Sequence, residues 1–93
     1  MNTYQLSIVT PNGKIFDGQV ESLTVPGKEG VFGVLAGHTP IIALLKKGIA
    51  SFSKDKMTHF MVIGPGILEV NGEHNVLLLT DEAAAQLSQL HTA

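Results

Sequence analysis

Four histidines, eight carboxylates and a dense run of glycines are where chemistry would have to come from in this chain. His38, His59, His74 and His91 fall on four separate elements, with no His-x-x-x-His pair and no cysteine to complete a ligand set. Zinc needs three or four such ligands converging on one point, so this spacing argues against a metal site. Glu69 and Glu73 flank Asn71-Gly72 and read as solvated strand-end charges, while Asp81-Glu82 reads as the acidic first turn of a helix. Ser7, Ser22, Ser51 and Ser53 sit inside strand patterns, and none has the Gly-x-Ser-x-Gly setting of an exposed nucleophile. No nucleophile is paired with a base. The residues predict a chain without a catalytic site, a metal or a cofactor.

The glycines are the more informative set. Val25–Pro40 (VPGKEGVFGVLAGHTP) holds Gly27, Gly30, Gly33 and Gly37 with Pro26 and Pro40. Glycine at this density marks backbone that turns sharply, takes a positive φ or lets another chain come close. A phosphate-cradling loop is excluded, because Gly37 is followed by His38-Thr39 where Lys-Ser/Thr is required. The Gly27-x-x-Gly30-x-x-Gly33 spacing also fails the dinucleotide fingerprint, and no long helix follows to receive a pyrophosphate. Two readings stay open: a glycine-rich corner of a small β protein, or a surface approached by a partner. His38 divides the same way, between a loop imidazole bonded to local backbone and a polar contact at a subunit interface.

The flanking segments are strands. Thr3–Val9 alternates, with Tyr4, Leu6 and Ile8 on one face. Thr10-Pro11-Asn12-Gly13 is a turn, and Lys14–Val25 reads as one bent strand with a bulge at Asp17-Gly18. Ile49–Ser53 and Thr58–Ile63 flank the turn Lys54-Asp55-Lys56. Ile67–Val70 and His74–Thr80 flank Asn71-Gly72, which suits a type I′ hairpin. Thr39–Gly48 carries helix signals at both ends, Thr39-Pro40 and Lys46-Lys47-Gly48. Asp81–Leu90 reads as a short helix. Phe16, Phe32, Phe52 and Phe60 are expected in the core.

Short strands at this spacing predict a mainly β chain: a flattened antiparallel sandwich or barrel over 1–80, then a short helical tail over 81–93. Ninety-three residues make one domain with a modest core. Six lysines, no arginine and a net charge of −2 leave no basic stripe for a nucleic acid. A hydrophobic content of 44% against 15% charged residues, with mean hydropathy of +0.25, suggests apolar surface covered by a partner. The N-terminus lacks a signal-peptide pattern, and no apolar run is long enough to span a bilayer. The chain is therefore expected inside the cell, reaching a membrane only through partners.

The order of its motifs adds a resemblance. Thr-Pro-x-Gly-x-x-Phe-x-Gly-x-Val over Thr10–Val20 precedes Val-Pro-Gly-x-x-Gly-x-x-Gly-Val-Leu over Val25–Leu35. Gly-His-x-Pro follows at Gly37–Pro40, then Gly48, then Gly-Ile-Leu-Glu-Val at Gly66–Val70. From Tyr4 to about Thr80 this ordered set resembles the N-terminal β-sandwich domain of the epsilon subunit of F-type ATP synthases. The resemblance implies a non-catalytic rotor subunit that fixes gamma to the ring of c subunits and couples rotation to ATP synthesis. It implies a peripheral place at the membrane, on the cytoplasmic face in bacteria. Interface candidates carried over are Gly27, Lys28, Glu29, Gly30, Val31, Gly33 and His38, with Glu29 able to pair with a basic residue on the ring. It also implies a strand, not a helix, over Thr39–Gly48. Family members continue into a helical hairpin that inhibits hydrolysis and in some binds ATP; the chain reads as a short form lacking it. The competing reading is a small ligand- or sugar-binding sandwich with a pocket among its glycine-rich loops.

Overall fold

A computed structural model describes residues 2–72 and 75–85. Ten strands fill most of them: β1 Tyr4–Thr10, β2 Gly13–Val20, β3 Ser22–Gly27, β4 Gly30–Leu35 and β5 Ile41–Leu45 form the first half. β6 Gly48–Lys54, β7 Met57–Ile63, β8 Gly66–Val70, β9 Asn75–Thr80 and β10 Ala83–Ala85 form the second. The order across the sheet is β10-β7-β6-β3-β5-β8-β9-β1-β2, with β4 on the open side of β3. Every pairing is antiparallel except β1 with β9, which run parallel.

The sheet folds over itself into a sandwich. Period-2 alternation in β1 sends Tyr4, Leu6 and Ile8 inward, where they meet Leu23, Val25, Ile63, Leu68 and Leu78 in one buried cluster. Phe16 on β2 lies 4.5 Å, centroid to centroid, from Phe52 on β6, which brings one end of the sheet back against its middle. The bend this needs comes from a β-bulge. Ile8 pairs with Phe16 and Val9 with Lys14, so Ile15 is the extra residue. The bulge therefore falls at Ile15 rather than at Asp17-Gly18, which pair regularly with Ser7 and Leu6. Gly18 instead makes room for a ring, since a Cβ there would stand 3.2 Å from the Phe16 side chain.

Several sequence expectations change with tertiary context. Lys14–Val25 is two strands broken at Glu21, not one. Phe60 alternates outward on β7, while its neighbour His59 turns in and stacks on Phe52 at 5.1 Å. Neither Asn71 nor Gly72 takes a positive φ, so these two are not the central pair of a type I′ turn. That geometry appears at Asp55 and Lys56 (φ 54° and 64°), which join β6 to β7. Ala83–Ala85 is a strand paired with Met61–Ile63, where the sequence pattern predicts helix. The remainder of that expectation, over 86–93, lies outside the described residues, as do Glu73, His74 and His91. Local helix signals also lose at Thr39–Gly48. Ile41–Leu45 finds five partners on Gly66–Val70, a gain no short isolated helix can match.

Candidate interaction surface

The glycine-rich stretch is a β-hairpin. Gly27 pairs with Gly30 across a two-residue turn, Lys28-Glu29, and the ladder continues to Ser22 with Leu35. Three of its glycines have three different reasons to be glycine. At Gly27 a Cβ would stand 2.7 Å from the Gly30 carbonyl oxygen and 2.9 Å from the Phe32 ring, so the site serves the packing of its own hairpin. Gly30 has φ +135°, a conformation the turn demands, with open space where a Cβ would project. Gly33 has neither need: a Cβ would meet only the Leu23 carbonyl oxygen, at 3.7 Å. Its missing side chain leaves a notch between Val31 and Leu35, both on the same outward face of β4 and strongly exposed.

His38 stands apart from this turn. β4 carries the chain from Gly30 to the opposite end of the sandwich, roughly 17–20 Å at about 3.3 Å per residue. There the His38 amide donates to the Leu35 carbonyl at 3.1 Å, and Nδ1–H donates to the Thr39 carbonyl at 2.7 Å. Those are local backbone contacts. His38 also borders a cavity of about 390 Å³ whose lining includes Tyr4, Val34, Val70 and Asn71.

The Lys28-Glu29 turn borders a second cavity, of about 360 Å³, with Phe32, Ile42 and Leu44 in its wall. Ile42 and Leu44 escaped the sequence reading of the site, although one signal was present. Ile41-Ile42-Ala43-Leu44-Leu45 is apolar at every position, so as a strand it must show aliphatics on both faces. Ile42 is 74% exposed and Leu44 55%. The ladder extends that outward apolar face: Leu44 pairs with Ile67, Ile67 with Leu79 and Leu79 with Val9. Leu44, Ile67 and Leu79 are exposed and Val9 is half-buried, so the row is an apolar face four strands wide.

Among the described residues no three His, Asp or Glu side chains gather in a way that could hold a metal.

Residues 3–86 match the family described as ATP synthase, delta/epsilon chain, beta-sandwich domain. An ATP synthase epsilon chain of Aliarcobacter butzleri is 45% identical over 85 residues, covering 91% of this chain and 67% of that protein. The epsilon chain of Sulfurimonas denitrificans is 43% identical over 86 residues, covering 91% and 65%. The chain thus spans about two thirds of the length of the curated relatives it matches. Among solved structures, a chain in the OSCP/F1/c-ring assembly of Euglena gracilis mitochondrial ATP synthase superposes with a TM-score of 0.85. It is 28% identical, and the match covers 89% of this chain and 53% of that one. A chain in the central stalk and c-ring of the Tetrahymena thermophila mitochondrial enzyme gives a TM-score of 0.75 at 12% identity, a likeness of fold alone. The match covers 95% of this chain and 69% of that one. The small ligand- or sugar-binding reading finds no support in these likenesses.

Proposed function

The chain belongs to the ATP synthase delta/epsilon family, and from that premise we propose that it is an epsilon-type subunit of the rotor's central stalk. It links gamma to the ring of c subunits so that rotation driven by ions reaches the catalytic sites, and it turns over no substrate itself. The observation that carries this reading is the family match over residues 3–86, which includes every strand described here. The outward aliphatic row Leu44–Ile67–Leu79–Val9 is the face for gamma. The end of the sandwich with Gly27, Lys28, Glu29, Gly30 and Val31 is the face for the ring. Gly33, a glycine that no contact among the described residues requires, lies where a neighbour's backbone or side chain fits. His38, at the other end, is a separate polar contact with gamma. The subunit is held at the membrane by these partners, on the cytoplasmic face in a bacterium.

Co-purification tests the whole. A tagged chain recovered from detergent-solubilised membranes of its host should bring gamma, the catalytic subunits and the c ring with it. Recovery of a lone monomer would end the proposal.

A further inference from the structure

The edge of a sheet is a row of unpaired main-chain groups, and folded chains guard it with charge, bulges or brevity. Among the described residues, three strands have a neighbour on one side only: β2, β10 and β4. β2 carries Lys14 and Asp17 and is bent by the bulge at Ile15. β10 spans three described residues. β4, Gly30–Leu35, has no charge, no proline and no register shift against β3. The ladder shows which of its groups are free. Gly27 and Gly30 close a two-residue hairpin and so form a hydrogen-bonded pair, and bonded pairs alternate from there. Pro26, opposite Val31, fits that phase: it has no N–H, and its carbonyl accepts from Lys46 on the far side of β3. The main-chain groups of Val31, Gly33 and Leu35 therefore point away from β3. Of these, the Leu35 carbonyl alone has a partner among the described residues, the His38 amide at 3.1 Å. On the outward face Val31 is 70% exposed and Leu35 65%, with Gly33 between them.

This edge is complementary to itself. An antiparallel copy centred on Gly33 sets Gly33 against its counterpart, Val31 against Leu35 and Leu35 against Val31. Free donors and acceptors then meet in four hydrogen bonds, two between the glycines and two from Leu35 N–H to Val31 C=O. Any other in-phase register leaves Val31 or Leu35 without an apolar neighbour across the seam. We infer that two copies of the unassembled chain pair β4 to β4, antiparallel across a two-fold axis at Gly33, in one continuous sheet β3-β4-β4-β3. The glycine backbones meet at the axis, and a Val31–Leu35 pair on either side covers the exposed aliphatics. A second copy fits better than an unrelated strand, because the same six residues supply both halves of every contact. The inference goes beyond the stalk reading, since it concerns the chain before it meets its partners. The seam is one short strand a side, below the roughly 1,200 Å² of a standard interface. The dimer is therefore weak and reversible, with a dissociation constant of about 10–100 μM.

The test is sedimentation equilibrium of the full chain between about 1 μM and about 1 mM, a range that brackets the expected constant. The wild type should pass from monomer to dimer and go no further. Gly33→Pro removes an N–H that β3 does not use, so association should weaken by roughly tenfold or more while the monomer stays folded. Val31→Lys and Leu35→Glu should each weaken association, because a charge then faces an aliphatic group across the seam. Mixed in equal amounts, these two variants should form a heterodimer tighter than either homodimer, since the register sets the new cation against the new carboxylate. Wild-type chain that stays monomeric at about 1 mM would overturn the inference. A dimer indifferent to all three substitutions would overturn it too, by placing the contact on another face. So would a monomeric chain whose β4 amides gain protection from exchange only in the assembled complex, which gives the edge to a partner subunit's strand.

Discussion

The phenol of Tyr4 on β1 donates a 2.8 Å hydrogen bond across the core to the main-chain carbonyl of Val34 on β4, and both side chains are buried. The bond ties the two layers together at the end of the sandwich away from the Lys28-Glu29 turn. Burial pushes the phenol above its ordinary value of 10.0. A group whose value is raised by folding contributes stability that is complete below its unfolded value and is lost as pH rises through the folded one. The chain should therefore lose stability progressively above pH about 10. Tyr4 is the only tyrosine, so phenolate absorbance follows this residue alone and should appear late, together with unfolding. Tyr4→Phe should cost about 0.5–1.5 kcal/mol at neutral pH and flatten the alkaline slope. An early, separate phenolate transition would show that Tyr4 titrates without unfolding.

Gly27 and Gly33 are six residues apart in the sequence yet should behave oppositely. Gly27→Ala pushes a methyl group into the Gly30 carbonyl and the Phe32 ring, so it should cost about 1–3 kcal/mol of stability. Gly33→Ala meets one oxygen at van der Waals distance, so the melting temperature of the isolated chain should stay put or rise slightly. The same substitution should loosen the chain in the assembled complex, read as faster loss on salt washing. Equal destabilisation of the isolated chain by both changes would make Gly33 a structural glycine and remove it from the interface.

Much of this was readable from residue order, for reasons that differ by element. Tyr4, Leu6 and Ile8 announce β1 because a half-buried strand has no other way to place three large apolar groups two residues apart. The helix signals around Ile41–Leu45 are sound locally and lose because β8 offers five paired positions that only the folded chain brings near. The parallel partnership of β1 with β9 joins segments about seventy residues apart and leaves no mark on either. Nor could spacing tell why each glycine is a glycine. Gly27 answers to Phe32, Gly30 to its own φ and Gly33 to nothing among the described residues, and only the folded structure separates those cases. His38 belongs to the same sequence stretch but to the other end of the sandwich, because β4 runs between them.

Asp17 makes an acid-side counterpart to Tyr4. Lys14 bonds its carboxylate at 3.0 Å, Ser7 at 3.0 Å, and Gln5 also donates to it. Those donors, Lys14 first, hold its pKa below the ordinary 3.8. The linkage sign is opposite to that of Tyr4: the contribution is present above the unfolded value and disappears as pH falls through the lowered one. The group is exposed, so the effect should be small and shrink with salt. Asp17→Asn should lower the melting temperature slightly at pH 7 and match the wild type at pH 2. A difference that persists unchanged at pH 2 would have to come from something other than the charge.

Thr80 fastens the last described strand to the body of the sandwich. Its buried hydroxyl lies 2.9 Å from the Gly64 carbonyl oxygen, 3.0 Å from that of Glu82 and 3.2 Å from that of Pro65. One proton serves one acceptor at a time, so the hydroxyl sits at the junction of three carbonyls. Two backbone bonds brace the junction, Gly64 N–H to Glu82 O and Asp81 N–H to Pro65 O. Gly64 admits the Asp81 carboxylate, which would overlap any Cβ placed there. Thr80→Val keeps the shape and removes the donor, so it should cost about 1–3 kcal/mol. The loss should concentrate nearby. Amide exchange should speed up most for Ala83–Ala85, which pair with Met61–Ile63, while the amides of β1 follow the smaller global change. Removing residues 83–93 should then lower the melting temperature by several degrees, because β10 covers one edge of β7 and Ala83 packs on the core. Unchanged melting after that deletion would show that β10 is carried by the sandwich without supporting it.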